Sequence, residues 1–544
     1  MTKKQLIALY TSSAVLAAVV FIGLYGIDVL NPVYTDWLMT GGDLTQHYLG
    51  WKAFRFAAWQ FPFGLIDNLS YPNCSSVIFT DSIPLLSVIC KILSPILPHT
   101  FQFFGLYGLM GFILSGVLSA DILRRYSSDV IPVLLCSVFF VIAPVMLFRM
   151  FLHTALASQW IILLGLRCIF LYEERFEDHS SRSILLFAVL GLLSGSIHIY
   201  YVIFSGFILI AFCIMDGILS KRLRTGILCG ITFLAVFFLT VWLLGGVSYR
   251  VFPASDGLGL YSMNLNSFYN PMGWSSFLHD FPVLNAVQEE ECLGYLGLGV
   301  LALAVPAVLF RIINRADTKG FPSVQRTVLL VLFSVMVLFA LSPVISFNDH
   351  IVFQYKLPYL LTKVWSVFRA TGRFCWLPVY LLMFAVFIPL LQNRRWSFWL
   401  IAGGLILQTA DLSGALFRIH SEYAEIPEYR SLLETKVFWD AVSEQTPVKH
   451  IVFTESISKD TLYSFTDYAI DHDMTVSNYY FARSTTGAAE ETAQNALASL
   501  SEENLYLFSD PAAAGQYPLL QYMADGFLVG LTKPIPGMEA YRMR

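Results

Sequence analysis

Long apolar runs separated by short polar stretches dominate the first 419 residues of the chain. A helix needs about 17–25 apolar residues to cross roughly 30 Å of hydrocarbon. Eleven runs fit this requirement, at 7–30, 102–123, 130–148, 155–172, 183–198, 200–218, 225–245, 293–312, 326–344, 375–391 and 396–413. The first run is too long for the apolar part of a signal peptide, so we interpret it as a retained span. The pattern predicts an α-helical polytopic membrane protein.

Basic residues cluster in alternate loops and orient the predicted spans. The clusters are Lys3/Lys4, Arg124/Arg125, Lys221/Arg222/Arg224, Arg311/Arg315/Lys319 and Arg394/Arg395. All of them fall on the side of the N-terminus, which the positive-inside rule assigns to the cytoplasm. The loops 31–100, 246–292 and 345–374 and the C-terminus are then outside. The short, proline-punctuated run 82–98 is expected to lie along the outer surface, because counting it as a span would move Arg124/Arg125 outside.

Composition supports the membrane assignment and divides the chain. Only 13% of the residues are charged, against about 25% in soluble proteins, which excludes a soluble enzyme. The net charge of −4 does not favour a nucleic-acid partner. From His420 onward, however, 18 acids face 8 bases. We therefore predict a transmembrane domain at 1–419, including the large outer loop 31–100, and a soluble extracytoplasmic domain at 420–544.

The C-terminal segment alternates strand-like and helix-like patterns. HIVFTES, MTVSNYYFA, NLYLFSD and DGFLVGLT read as strands, and Lys459–Asp471 and Ala488–Leu500 read as helices. No glycine-rich nucleotide-binding loop opens these helices. A small α/β domain is expected, acting either in catalysis or as a lid or docking module. All eight cysteines lie before it, without a CxxC or Cys/His cluster, which does not favour a zinc or redox site.

The first outer loop contains two candidate acids. An amphipathic helix starting near Asp43 would place Asp43 and His47 on one face, and the two glycines before Asp43 allow close approach of a ligand to the backbone. Asp81, in FTDSIP, is the second acid. For both, the alternative is a helix N-cap at the membrane surface. The nearby aromatic residues, including Trp51, Phe54 and Trp59, suit the interfacial belt of a membrane protein.

Further polar residues fall on the same outer side. His153 and His198 lie at the outer ends of spans, where an interfacial histidine without a binding role is the alternative. The third outer loop contains Tyr261 and Asn264, whose residue types suit sugar recognition and equally suit a hydrogen-bonded loop. Glu290, in the acidic run before the eighth span, is a candidate for binding a cation or a ligand hydroxyl, or simply part of a solvated surface.

Arg369 and Arg373 end the fourth outer loop, on the side where positive charge is disfavoured. Their spacing of four residues would aim both guanidinium groups the same way on a helix. Planar arginine suits bidentate binding of phosphate. The alternative is pairing with Asp43, Asp81 or Glu290, and a carboxylate could also occupy the arginines until a phosphate arrives.

Several segments carry a family resemblance over most of residues 30–380. They are GGDLTQHYLGWKAFRFAAWQFPFG, YPNCSSVIFTDSIPLL, LPHTFQFFGLYGL, HTALASQW, LGYLGLGVL and FRATGRFCW. They resemble a little-characterised family of bacterial membrane proteins assigned to the glycosyltransferase C (GT-C) superfamily. The resemblance implies transfer of a sugar from a polyprenyl-phosphate donor to a glycan, lipid or protein acceptor on the outer face of the bacterial plasma membrane.

The resemblance also implies roles for individual residues. Asp43 matches the first-loop acid that serves as general base, with Asp81 as the second candidate. Arg369 and Arg373 would bind the donor phosphate, and the sugar or acceptor would meet a set of outer residues, namely His47, His153, His198, Tyr261, Asn264 and Glu290. Some members of the superfamily use Mg²⁺ or Mn²⁺, but no second acid adjoins Asp43. The alternatives are a transporter or flippase of lipid-linked saccharide, and a non-catalytic scaffold that presents the C-terminal domain.

Overall fold

The computed structural model describes residues 1–247, 257–313, 323–481 and 487–543. The chain divides into two compact units. The first unit comprises Met1–Asn31, Phe103–Phe238 and Pro253–Glu425, and the second comprises Pro32–Gln102, Leu239–Phe252 and Ile426–Arg544. The first outer loop thus clusters with the C-terminal segment. The domain boundary at 419/420 stays a prediction.

Apolar helices make up the first unit and confirm a helical membrane protein. Within the described residues, eight helices are long and apolar enough to cross a membrane: Lys3–Tyr25, Phe104–Leu123, Val130–Leu147, Tyr201–Leu219, Leu223–Leu243, Ser323–Leu341, Thr371–Gln392 and Ser397–Ala424. Three shorter apolar helices, Trp160–Phe170, Ser180–Ser196 and Leu298–Ile313, coincide with the remaining predicted spans. At about 1.5 Å per residue, these three reach only about 16–26 Å. The count of eleven spans and their orientation stay predictions.

The core of the first unit surrounds the helix Trp376–Gln392, which is apolar on all sides and is therefore buried. Its Phe384 packs between Phe140 and Phe170, with ring centroids 4.8 and 4.7 Å apart. The hydroxyl of Tyr380 donates a 2.7 Å hydrogen bond to Gln159 Oε1, so this buried polar pair is satisfied.

A buried ionic network ties together the helix ends that are predicted to face the cytoplasm. The carboxylate of Asp121 accepts hydrogen bonds from Tyr10 Oη at 2.6 Å, Arg124 Nε at 2.9 Å and Arg167 Nε at 2.8 Å. Arg175 Nη2 adds a fourth at 2.9 Å. Some of the basic residues on this side therefore also hold the helices to one another.

A five-stranded mixed sheet forms the core of the second unit. Its strands run in the order Thr475–Val476, His450–Phe453, Asn504–Phe508, Phe527–Leu531 and Leu520–Ala524. The first three are parallel and the last two form an antiparallel hairpin. Helices Lys436–Gln445, Lys459–Asp471 and Ala488–Ala498 accompany the sheet. The expectation of a small α/β domain is confirmed, although Leu520–Ala524 was not predicted as a strand.

The first outer loop completes this sheet. Val476 N–H donates to Asn68 O at 3.0 Å, and Tyr71 N–H donates to Val476 O at 2.9 Å, so the loop covers the edge of the shortest strand. The ring of Tyr71 stacks on His450 with centroids 3.6 Å apart. The loop and the C-terminal segment therefore fold as one body.

Two helices of the first outer loop were anticipated. Gly42–Phe56 is the amphipathic helix expected near Asp43, and Pro84–Ile92 lies within the run 82–98. Nine residues span only about 14 Å of helix, too short to cross a membrane. Trp51 and Phe54 are fully buried in the second unit rather than interfacial, because they face its interior from the Gly42–Phe56 helix. Trp59 is half exposed, as an interfacial residue would be.

Candidate functional site

Two arginines of the first unit converge on the carboxylate of Glu291, which ends the short helix Ala286–Glu291. Arg373 approaches Glu291 Oε2 with Nε at 2.9 Å and Nη2 at 2.6 Å. Arg149 Nη2 donates to the same oxygen at 2.9 Å and to the backbone oxygen of Glu291 at 3.0 Å. Both arginine side chains and the carboxylate are at least nine-tenths buried. Hydrogen bonds between charged groups are stronger than those between neutral groups, so these contacts hold Arg149, Arg373 and Glu291 firmly together.

A third arginine, Arg369, completes what we call the arginine cluster: Arg149, Arg369, Arg373 and Glu291. Arg369 Nη2 lies 3.9 Å from Glu291 Oε1, and its side chain is 54% exposed. The guanidinium also lies over the ring of Tyr261, 4.6 Å from the centroid. Arg369 is thus the member of the cluster that solvent or a ligand reaches most directly.

Electrostatics keep Glu291 charged. Burial alone raises the pKa of Glu291, but the charges of Arg373 and Arg149 outweigh burial and hold the pKa at about 2, below the ordinary 4.5. Among the described side chains, three arginines thus share this one carboxylate. Such a site is suited to binding a further anion.

Histidine and tyrosine side chains surround the cluster. His153 Nδ1 lies 3.2 Å from Arg149 Nη1. Arg373 lies over the ring of Tyr200, 5.0 Å from its centroid, and Tyr200 Oη accepts a hydrogen bond from Ala370 N–H at 2.9 Å. His198 is two residues away and accepts from Tyr200 N–H at 3.2 Å. The structure therefore brings the predicted His153 to Arg149 and the predicted Tyr261 to Arg369. The predicted His198 lies beside Tyr200, which contacts Arg373.

Sequence reasoning missed two members of the arginine cluster. Glu291 was passed over for its neighbour Glu290, whose side chain lies outside the described part of the structure. Arg149 lies in FRMFLH, four residues before His153, and an arginine between apolar residues at the predicted outer end of a span was the available signal. Arg369 and Arg373 do not share a helix, because Arg369 precedes the 3₁₀ helix Thr371–Cys375 that carries Arg373, but both guanidinium groups approach Glu291.

Asn264 has a different environment from Tyr261. Its side chain is fully buried and donates to Gln288 Oε1 at 3.2 Å and to Asn348 O at 2.8 Å. Its oxygen accepts from the backbone N–H groups of Asn266 and Asn348. These contacts are those of the hydrogen-bonded loop that the sequence left open. A sugar-binding role for Asn264 stays untested.

Asp43 lies in the first turn of the Gly42–Phe56 helix in the second unit. Gly41 and Gly42 precede it with φ of 99° and 65°, a left-handed backbone that glycine adopts without strain. Gly41 is the N-cap, so Asp43 is not the capping residue. The Asp43 carboxylate is 26% exposed and lies 3.7 Å from Lys459 Nζ. It is therefore accessible to a ligand.

A cavity lies at the start of the Asp43 helix within the second unit, and Asp43 itself is not among its lining residues. It has a volume of about 410 Å³, and Gly41, Thr45, Asp460 and Tyr463 help to line it. The Tyr463 hydroxyl donates to Gly42 O at 3.0 Å, which fixes the start of the Asp43 helix against the helix Lys459–Asp471. The volume lies within the range of small-molecule sites.

Asp81 and His47 also belong to the second unit. Asp81 is the C-cap of the 3₁₀ helix Val77–Thr80, in a left-handed conformation with φ of 53°. The N-cap of Pro84–Ile92 is Ile83, so Asp81 is not the N-cap that the sequence left open. The next residue, Ser82, donates to His47 O at 2.7 Å. His47 itself is buried, 1% exposed. The structure thus places the Asp81 loop against the Asp43 helix, while the roles of both residues stay predictions.

Lys52 ties the Asp43 helix to the C-terminal segment. Its Nζ lies 2.7 Å from Asp467 and 2.6 Å from Asp471. Burial lowers the pKa of Lys52, but the two carboxylates more than offset burial, and the net pKa is raised. Burial also raises the pKa of Asp467, against the opposing charge of Lys52. Lys52 therefore compensates a largely buried carboxylate.

Replacing Lys52 with methionine should lower the melting temperature by several degrees, because it leaves Asp467 buried without its cation. The measurement is thermal unfolding of the purified protein in detergent. Lys449→Met is the matched control, since Lys449 pairs with Glu503 at the surface, where both side chains are exposed. Equal melting temperatures for the two variants would contradict this role of Lys52.

Metal dependence stays untested. In the ranges that the structure describes, no three or more His, Cys, Asp or Glu side chains converge in a group able to hold a metal ion.

Solved structures of membrane proteins resemble the chain. The apo oligosaccharyltransferase of Archaeoglobus fulgidus is 13% identical with a TM-score of 0.48, and the match covers 92% of this chain and 69% of that one. ArnT from Cupriavidus metallidurans, bound to undecaprenyl phosphate, is 10% identical with a TM-score of 0.45, covering 97% and 98%. AglB from Archaeoglobus fulgidus, with an inhibitory peptide and a dolichol phosphate, is 14% identical with a TM-score of 0.41, covering 98% and 76%. No curated protein matches the chain.

Family models cover both the helical region and the sheet. The model described as a domain of unknown function, DUF6311, matches residues 14–413, which include Asp43 and the whole arginine cluster. The model described as the DUF6311 C-terminal domain matches residues 438–532, which contain the five-stranded sheet. The first match alone covers well over half of the 544 residues. The chain therefore belongs to the DUF6311 family.

Proposed function

We propose that the protein is a GT-C-type membrane glycosyltransferase that moves a sugar from a polyprenyl-phosphate donor to a glycan, lipid or protein acceptor outside a bacterial plasma membrane. The observation that carries the proposal is the arginine cluster, in which three arginines share the carboxylate of Glu291. Such a site can take a phosphate in exchange for, or beside, the carboxylate.

The position of the cluster supports a lipid phosphate in particular. Arg149 follows one predicted span, and Glu291 and Arg373 each precede another, all at ends predicted to face outward. A prenyl tail would remain in the hydrocarbon while its phosphate reached the interface. When the sugar leaves, negative charge grows on that phosphate, and pre-oriented guanidinium groups stabilise such charge.

Asp43 would supply the base. An acceptor hydroxyl is a weak nucleophile, and a carboxylate that removes its proton as the new glycosidic bond forms accelerates the reaction. The partial exposure of the Asp43 carboxylate, on a helix whose start lines a cavity, supports this role. His47, His153, His198 and Tyr261 remain candidates for the sugar or acceptor, and Asp81 for a second acid.

The test is consumption of donor by the full-length protein in lipid nanodiscs. Labelled polyprenyl-phosphate sugars are supplied with a membrane extract as the acceptor source, and the released polyprenyl phosphate is measured. We expect one donor to be consumed. Movement of lipid-linked saccharide between leaflets in liposomes, without consumption of any donor, would overturn the proposal in favour of a transporter.

Arg369→Gln should raise the KM for the donor about tenfold, because the free energy of one charge-assisted hydrogen bond corresponds to about a tenfold change in affinity. Arg369 is chosen because it is half exposed, so its loss should not disturb folding. Arg418→Gln, at an exposed arginine that donates to Gly273 O, is the matched control. An unchanged KM in Arg369→Gln would remove Arg369 from the phosphate site.

A further inference from the structure

A groove opens along the first unit at the opposite helix ends from the arginine cluster. It has a volume of about 550 Å³ and lies among the helices Leu298–Ile313, Ser323–Leu341 and Trp376–Gln392. Apolar side chains form most of its wall, among them Phe170, Leu330, Phe333, Leu381, Phe384 and Ile388. The wall therefore suits a hydrocarbon chain.

One end of the groove is polar and positively charged. Arg311 is in the last turn of its helix, and Arg326 is in the first turn of the next. Ser323, Thr327 and Gln392 lie beside them, and the described lining contains no acidic side chain. Both arginines are exposed, so their charges are available to a ligand in the groove.

We propose that this groove binds an anionic glycerophospholipid of the cytoplasmic leaflet, with an acyl chain on the apolar wall and the phosphate on Arg311 and Arg326. The basic clusters place this end of the helices on the cytoplasmic side. Basic pockets between membrane helices on that side are suited to anionic headgroups. Two arginines beside neutral hydrogen-bonding side chains match a phosphate.

The groove is separate from the proposed donor site. Arg373 lies in the 3₁₀ helix Thr371–Cys375, directly before the helix Trp376–Gln392, whose last residue lines the polar end of the groove. The 17 residues of this helix extend about 26 Å. One phosphate cannot contact both sites, so the lipid bound here is not the donor engaged at the arginine cluster.

Native mass spectrometry of the full-length protein in detergent tests the proposal without an activity readout. The probes are phosphatidylglycerol and the zwitterionic phosphatidylcholine. We expect retained phosphatidylglycerol and little phosphatidylcholine. The double variant Arg311→Gln/Arg326→Gln should weaken phosphatidylglycerol binding by roughly tenfold or more, since each arginine near a lipid phosphate contributes about fivefold. Ala385→Phe should have a similar effect by filling the groove with both arginines intact.

Two control variants match these changes. Arg224→Gln alters an arginine in the first turn of Leu223–Leu243, and Ala302→Phe enlarges an exposed alanine outside the groove. Neither should change binding. Equal retention of the two lipids, or an equal loss in the controls, would overturn the proposal. If undecaprenyl phosphate displaced phosphatidylglycerol when present at a lower concentration than phosphatidylglycerol, the choice of a glycerophospholipid as the occupant would be overturned.

Discussion

Asp43→Asn is expected to lower the rate of sugar transfer by roughly 10²–10⁴-fold, the usual contribution of a positioned general base. Asparagine has nearly the same shape as aspartate but cannot accept the hydroxyl proton. The substitution should spare the fold, because Asp43 is partly exposed and Gly41, not Asp43, caps the helix. The measurement is kcat with the donor that the wild-type protein consumes, together with the melting temperature as a check on folding.

Asp460→Asn is the matched control for Asp43→Asn. Asp460 lines the cavity at the start of the Asp43 helix and is exposed, so removing its charge changes the local potential without removing the proposed base. We expect nearly normal kcat in this control. Wild-type kcat in Asp43→Asn, in a protein of unchanged melting temperature, would remove Asp43 from the mechanism and direct attention to Asp81.

Helices were predictable because their signals are local. Each predicted span coincides with an apolar helix, and Lys459–Asp471 has the predicted limits, since hydrophobic periodicity and an N-cap at Ser458 are properties of neighbouring residues. Which segments of the chain make up the second unit was not predictable in this way. Its sheet edge pairs with Asn68 and Tyr71, more than 400 residues away in sequence, and no local pattern encodes such a pairing.

The site shows the same division between local and distant information. Arg369 and Arg373 stood out in the sequence because positive charge is rare on the outer side. The sequence analysis named Glu290, but the carboxylate that these arginines meet is that of Glu291. Neighbouring glutamates in an acidic run cannot be told apart by residue type, and only the fold decides which side chain points toward the arginines. Arg149 was hidden within an apolar run, and only the tertiary structure shows that it shares Glu291 with Arg373.

Glu291→Gln is expected to change stability and phosphate binding in opposite directions. Removing the carboxylate leaves the buried Arg149 and Arg373 without their anion, and breaking a buried ion pair costs about 3–5 kcal/mol. The melting temperature in detergent should therefore fall. A lipid phosphate no longer competes with a carboxylate, so undecaprenyl phosphate should raise the melting temperature of Glu291→Gln more than that of the wild-type protein.

The pH dependence gives an independent check on the same residue. Arg373 and Arg149 hold the pKa of Glu291 in the folded protein at about 2, below the ordinary glutamate value of 4.5. The stabilisation of the fold by the charged Glu291 is therefore complete above about pH 4.5 and is lost as the pH falls toward 2. The difference in melting temperature between the wild-type protein and Glu291→Gln should therefore be largest near neutral pH and shrink below about pH 4.5.

The control for Glu291→Gln is Glu428→Gln, which removes a carboxylate whose pairing with Arg430 is exposed. It should leave both the melting temperature and the response to undecaprenyl phosphate unchanged. A purely structural ion cluster predicts a lower melting temperature for Glu291→Gln and no added response to the lipid. That result would contradict phosphate exchange at the cluster, because arginines that bind only Glu291 gain nothing from a phosphate once the carboxylate is gone.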